Sequence, residues 1–254
     1  MKLLAADIGN TQIQVGLFDG EVLGSTRRLP SRRDTTADEL AVLVGGALAD
    51  EARSVEGAVL ASVVPPLTNL FVSALVSMGI ENPLVVAPGI KTGLKIRTDS
   101  PQEVGADRIV NAVAASDRHS PPLVVVDFGT ATTFDVVSDA GEYLGGAITP
   151  GPMIGAEALS MRAARLPRVE ISAPEYVIGK NTVDSIRSGL LHGHAAMAEG
   201  MIARIEGEMQ ARLNVVATGG LAEQIVPLMK GVHTVDMELT LHGLRLIHER
   251  NAGR

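Results

Sequence analysis

Two periods of apolar and polar residues alternate along the chain. Residues 3–8 are a short apolar run that reads as a buried strand. In residues 12–18, Ile13, Val15 and Leu17 alternate with Gln12, Gln14 and Gly16, a period of two that predicts a second strand. Asp19-Gly20 then turns the chain into a third strand over 21–29. Thr36-Ala37-Asp38-Glu39 has capping-box spacing and predicts a helix continuing over 41–49. A strand over 57–63, a helix over 67–78 ended by Gly79, and a short strand over 84–87 follow. Ser100-Pro101-Gln102-Glu103 repeats the capping-box spacing, with proline at the first helical position, so a helix is expected to run unbroken to about Asp117.

The pattern then starts again. Residues 123–126 form an apolar strand, Asp127-Phe128-Gly129-Thr130 a polar turn and 132–137 a second strand, and Asp139-Ala140-Gly141 turns into a third over 142–148. Asp7 and Asp127 each open a similar Asp-x-Gly turn after an apolar run, so the strand-turn-strand unit repeats. The remainder predicts helices over 153–164, 182–213, 221–229 and 238–250, with strands over 214–217 and 232–235. His119-Ser120-Pro121-Pro122 marks a boundary between two domains, 1–118 and 119–254, each a mixed sheet with helices on it.

Composition narrows the chemistry. The chain has 254 residues and a net charge of −7, from 22 Lys+Arg against 29 Asp+Glu, which disfavours a broad nucleic-acid-binding face. Six aromatic residues, four Phe and two Tyr, are too few for base-stacking platforms. The absence of cysteine removes thiol nucleophiles and Cys-ligated metals, and fits a reducing cytoplasm. The early carboxylate Asp7 argues against a leader peptide, and no apolar run approaches the ~20 residues of a membrane span. Catalysis is therefore expected to rest on carboxylates, backbone amides and bound cations.

Four segments carry that chemistry. Asp7-Ile8-Gly9-Asn10-Thr11 and Asp127-Phe128-Gly129-Thr130-Ala131-Thr132 suit phosphate cradles, since glycine admits close approach and a carboxylate beside the cradle can hold hydrated Mg²⁺. Either turn alone is more readily a plain hairpin; the matched pair points to a nucleotide clamp across a cleft. Thr218-Gly219-Gly220 follows an apolar strand and could lay backbone against an adenosine, or simply turn. Gly105-Ala106-Asp107-Arg108 joins a possible general base to a cationic fork, or is a helix-surface ion pair. The Gly145–Gly151 stretch reads as an open loop. His192-x-His194 does not suit a metal, because residues two apart on a helix do not share a face.

Together and in this order, these motifs resemble the type III pantothenate kinases, of the superfamily that holds acetate and sugar kinases, actin and the heat-shock chaperones. Gly179-Lys180-Asn181-Thr182 and Leu239-Thr240-Leu241-His242-Gly243-Leu244 extend the resemblance over nearly the whole chain. The resemblance implies an α/β fold of two ribonuclease H-like, actin-like ATPase domains with a nucleotide cleft between them. It implies ATP-dependent phosphorylation of pantothenate at its primary hydroxyl, the first step of coenzyme A synthesis. It makes Asp107 the proton acceptor. Asp7, Ile8, Gly9, Asn10, Thr11, Gln12, Ile13 and Gln14 become the first phosphate turn, with Thr130, Thr218, Gly219 and Gly220 also on ATP. Thr98, Gly105, Ala106, Asp107, Arg108 and Thr182 become the pantothenate site, and Asp127 the ligand of a monovalent cation, K⁺ or NH₄⁺, alongside Mg²⁺. It further implies a cytoplasmic homodimer that binds neither nucleic acid nor membrane. One departure stands out: Thr98-Asp99-Ser100-Pro101 occupies the place of the family's Tyr-Asp-Asn-Pro, which opens the alternative of a catalytically weak, nucleotide-binding regulatory relative.

Overall fold

The computed structural model describes residues 1–48, 51, 54–163, 166–230 and 234–252. Two compact units emerge, Met1–Asp117 together with Glu238–Arg254, and Arg118–Met237. In the first, β1 (Lys2–Ile8), β2 (Gln12–Asp19), β3 (Val22–Pro30), β4 (Gly57–Ser62) and β5 (Leu84–Val85) form a sheet ordered β3-β2-β1-β4-β5. The helices α1 (Ala37–Leu48), α2 (Pro65–Ser77) and α3 (Ala106–Arg118), the two-residue β6 (Lys95–Ile96), and α7 (Leu239–Asn251) complete its elements. In the second, β7 (Leu123–Phe128), β8 (Ala131–Val137), β9 (Glu142–Pro150), β10 (Asn214–Thr218) and β11 (Thr234–Val235) take the order β11-β10-β7-β8-β9. Its helices are α4 (Pro152–Arg162), the 28-residue α5 (Thr182–Met209) and the short α6 (Ala222–Ile225).

The repeat seen in the sequence is a repeat of topology. In each unit the first strand pairs antiparallel with the second and parallel with the fourth, so β1-β2-β3-β4-β5 and β7-β8-β9-β10-β11 are laid out alike. Strand alternation then sorts side chains by face. Leu4, Ala6 and Ile8 join Ile13, Val15 and Leu17 in a core closed by Leu40 and Val44 of α1 and Leu67, Phe71 and Leu75 of α2. Leu3, Ala5 and Asp7 point the other way, toward the face covered by α7, where Phe18 meets the His242 ring edge-on at 5.3 Å. The second unit is built the same way. Val124, Val126 and Phe128 pack with Leu191, Ala195, Ala198 and Ile202 of α5, while Asp127 takes the opposite face beside its cross-strand partner Thr133.

Local signals hold at several places. The first capping box closes as its spacing predicts: Glu39 N–H donates to Thr36 Oγ1 (3.2 Å) and Thr36 N–H to Glu39 Oε2 (3.0 Å). Gly20 and Gly79 turn the chain with positive φ of 59° and 88°.

Elsewhere the structure corrects the sequence reading. Ser100 makes no side-chain cap; residues 101–103 form one 3₁₀ turn, Val104 is extended, and a new helix begins at Ala106. Residues 145–150 are not a loop but the body of β9, with Gly145 (φ 106°) at an irregularity in its pairing with β8. The helix expected over 221–229 is a four-residue helix and a 3₁₀ turn holding Pro227. The last helix belongs with the first unit, not with the 119–254 half. Residue 49, residue 164 and residues 232–233 of the expected elements lie outside the described residues. Among the described residues no helix is long and apolar enough to cross a membrane.

Candidate active site

The first turn joins β1 to β2 and is closed by the Gly9 N–H donating to the Gln12 carbonyl (3.0 Å). Its exposed residues are Asn10, Thr11 and Gln12; Asp7, Gly9 and Gln14 are half-buried, and Asp7 and Gln14 are cross-strand partners on the α7 face. Ile8 and Ile13 are fully buried in the core, so either can meet a ligand only through its backbone. In the second turn the Gly129 N–H donates to the Ala131 carbonyl (3.1 Å), which makes this hairpin one residue tighter and leaves Thr130 exposed at its tip.

Glycines crowd around the second turn. Gly151 donates its N–H to the Thr130 carbonyl (3.0 Å), and a Cβ on Gly151 would stand 2.5 Å from the Gly129 carbonyl oxygen. Gly219 (φ 92°) follows β10, whose last residue, buried Thr218, is in register with Asp127. A Cβ there would strike the Asp127 carboxylate and come within 2.6 Å of the Phe128 nitrogen. Gly129 also faces that carboxylate. Asp127, Gly129, Thr130, Gly151, Thr218 and Gly219 are thus brought together, Thr218 and Gly219 by the parallel pairing of β7 with β10 and Gly151 by the antiparallel pairing of β8 with β9. Gly220 is exposed just beyond.

The Asp127 carboxylate and the carbonyl and hydroxyl oxygens of this cluster could hold a hard cation. Among the described residues no three His, Cys, Asp or Glu gather as a metal centre. Single carboxylates fit a Mg²⁺ that keeps most of its water and arrives with a nucleotide. His194 is held to the carbonyls of Leu190 (2.8 Å) and Pro150 (3.1 Å), not poised for a metal.

The break at Val104 matters most for Asp107. Because α3 restarts at Ala106, Asp107 sits in its first turn, where the helix dipole favours a carboxylate. Its Oδ1 accepts the Arg108 N–H at 2.8 Å. Burial nevertheless raises its pKa above the ordinary carboxylate value, outweighing the Arg108 N–H bond and the Arg108 charge, both of which lower it. Gly105 sits against this carboxylate: a Cβ on it would be 2.6 Å from Asp107 Oδ1. Ahead of it, Thr98 Oγ1 is buried with no hydrogen-bond partner among the described residues. Thr182 belongs to the second unit, exposed at the first position of α5 and preceded by Asn181, whose side chain caps the Asp184 N–H (2.9 Å). Sequence reasoning did not single out Gly151, although Gly145-Gly146-Ala147-Ile148-Thr149-Pro150-Gly151 contained it; nothing local reveals that its missing side chain makes room for the Thr130 turn.

Two sheets of one topology, each with a carboxylate turn at the end of its first strand, define the actin-like ATPase fold. The ROK-family glucokinase of Streptomyces griseus, solved with glucose and AMPPNP, aligns over 96% of this chain and 98% of its own with a TM-score of 0.54, at 13% identity. The activator of 2-hydroxyisocaproyl-CoA dehydratase from Clostridium difficile, with bound ADPNP, aligns over 99% and 96% with a TM-score of 0.54. The chain belongs to the type III pantothenate kinase family, whose model matches residues 3–204. It is 49% identical to the type III pantothenate kinase of Moorella thermoacetica over 98% of this chain and 99% of that protein, and 45% identical to that of Geobacter sulfurreducens over 98% and 99%.

Proposed function

We propose that this type III pantothenate kinase transfers the γ-phosphoryl group of ATP to the primary hydroxyl of pantothenate with Asp107 as proton acceptor. The observation that carries the assignment is the carboxylate of Asp107, raised in pKa by burial at the start of α3, with Arg108 beside it. A raised pKa makes a carboxylate a stronger base. Asp107 takes the hydroxyl proton as the oxygen attacks the γ-phosphorus; the bond to the β-phosphate oxygen breaks, and ADP and 4′-phosphopantothenate leave. Arg108 can hold the pantothenate carboxylate through its guanidinium. Gly105 keeps the base in place, and Thr98 and Thr182 contribute to the acceptor site.

The Asp7–Gln14 and Asp127–Thr130 turns serve as phosphate cradles, with Thr218, Gly219 and Gly220 toward the nucleoside. Asp127 holds K⁺ or NH₄⁺. Bound cations supply the charge neutralisation that phosphoryl transfer needs in place of a Walker lysine. The enzyme works in the cytoplasm as a homodimer. Support for pairing through the long helix comes from Gly189 and Gly193, exposed on α5 with open space above them, and from the exposed Tyr176, Val177 and Ile178 ahead of it.

Measuring ADP release with MgATP and a panel of pantothenate-like acceptors, in K⁺, NH₄⁺ and Na⁺, tests this reading. Pantothenate-dependent ADP release supported by K⁺ or NH₄⁺ but not Na⁺ is expected. Acceptor-independent or absent ADP release would refute the kinase reading, and equal rates in all three salts would refute a selective cation at Asp127.

A further inference from the structure

The segment Leu239-Thr240-Leu241-His242-Gly243-Leu244 takes no part in the chemistry above, yet three of its residues make close, buried contacts. Leu241 covers Gly16 of β2 so tightly that a Cβ on Gly16 would stand 2.7 Å from Leu241 Cδ1. Gly16 is paired with Ala5 of β1, two residues before Asp7 on the same face. On α3, Thr240 Oγ1 donates to Asn111 Oδ1 at 2.7 Å, with both residues buried. Gly243 lies directly on the Val110 carbonyl oxygen; a Cβ there would strike it and come within 2.8 Å of Val110 Cγ1. The backbone of α3 occupies the place of a side chain, which only glycine allows.

Asn111 is four residues after Asp107, so the two share one stripe of α3, a turn apart. The neighbouring stretch on the N-terminal side is a short 3₁₀ turn and an extended Val104, which constrain the start of the helix weakly. We propose that α7 is the positioning element of the proton acceptor: Thr240, through Asn111, and Gly243, through Val110, fix the rotation and height of α3 and so the place of the Asp107 carboxylate. The same helix, through Leu241, holds the strand pair that carries the Asp7 turn. This inference rests on Asp107 being the base.

The test compares Thr240→Val, Thr240→Ser, Asp107→Asn and the Asp107→Asn/Thr240→Val double variant, each shown folded by circular dichroism at the assay temperature. Thr240→Ala replaces Thr240→Val should the latter not fold. Thr240→Val should lower kcat about 10-fold, since sub-ångström misplacement of a catalytic group costs on this order, with the KM for ATP within about twofold. It should also move the acidic limb of the kcat–pH profile. Thr240→Ser should restore both. In the Asp107→Asn background, Thr240→Val should cost no further kcat, because the group it positions is gone.

A Thr240→Val enzyme that melts earlier but keeps kcat and its pH limb would overturn the proposal, reducing the contact to stability alone. So would a Thr240→Ser enzyme as slow as Thr240→Val, or equal losses in the two backgrounds. Near-normal turnover by Asp107→Asn alone would instead refute the base assignment, and this inference with it.

Discussion

Replacing Gly105 by alanine perturbs the proposed base without touching its chemistry. The added Cβ would lie 2.6 Å from Asp107 Oδ1, some 0.8 Å inside the 3.4 Å at which ordinary contact begins. Gly105 does not have a positive φ, so backbone strain plays no part. Its carbonyl accepts the Ile109 N–H (3.3 Å), which makes it the residue that caps α3. Alanine at such a position costs about 0.5–1 kcal/mol of stability relative to better caps. The carboxylate is the group free to yield, by turning about its own side-chain bonds and loosening its bond from the Arg108 N–H. A displacement approaching 1 Å at a catalytic group costs up to about 100-fold in rate, or about 2.7 kcal/mol of barrier. Steady-state ADP release should therefore show kcat reduced about 10- to 100-fold, with the KM for ATP little changed and melting lowered by a few degrees at most. Turnover within about twofold of the parent enzyme would refute the reasoning that Gly105 exists to make room for Asp107.

Further predictions address the other parts of the site. Gly219→Ala places a side chain at a φ of 92° and drives it into the Asp127 carboxylate, so it should cost about 1–3 kcal/mol of stability and raise the KM for ATP or the K⁺ requirement; unchanged thermal melting and unchanged nucleotide and K⁺ dependence would contradict the clustering described. Thr98→Tyr should lower the KM for pantothenate about 3- to 10-fold by adding an aromatic wall, and a KM unchanged or worse would show that Thr98 does not weaken the acceptor pocket. Asp107→Asn should melt higher than the parent at neutral pH. Burial raises the Asp107 pKa, so the ionised form costs stability above that pKa and the cost disappears as pH falls below it; the neutral amide is free of it at every pH, and the gain should vanish in acid.

Much of the fold was legible because it is written in short-range signals. The alternation of Ile13, Val15 and Leu17, the Asp19-Gly20 turn and the Thr36/Glu39 reciprocal cap each involve residues within a few positions of one another. The Asp7 and Asp127 turns announced a repeat that proved to be a repeat of strand order. What was not legible depends on partners far along the chain. Local periodicity gives a helix over 238–250 but not its docking on β1, β2, β4 and α3, which is carried by Gly16, Gly243 and Asn111. The Ser100-Pro101-Gln102-Glu103 box was misleading because its spacing is met while Val104 stays extended, and that break places Asp107 in the first helical turn instead of the second. Of the site, the residue types were readable, but the packing of Gly105 on Asp107 and of Gly219 on Asp127 required the structure.

The proposed mechanism rests on the half-buried carboxylate of Asp107 accepting the substrate proton. Single-turnover phosphorylation of pantothenate by Asp107→Asn, with ATP binding followed in parallel, tests it most directly. The account predicts a rate reduced by about 10²-fold or more with ATP affinity within about twofold of the parent, and loss of the acidic limb that Asp107 sets in the kcat–pH profile. Phosphorylation at near-parental rate, with that limb intact, would contradict it.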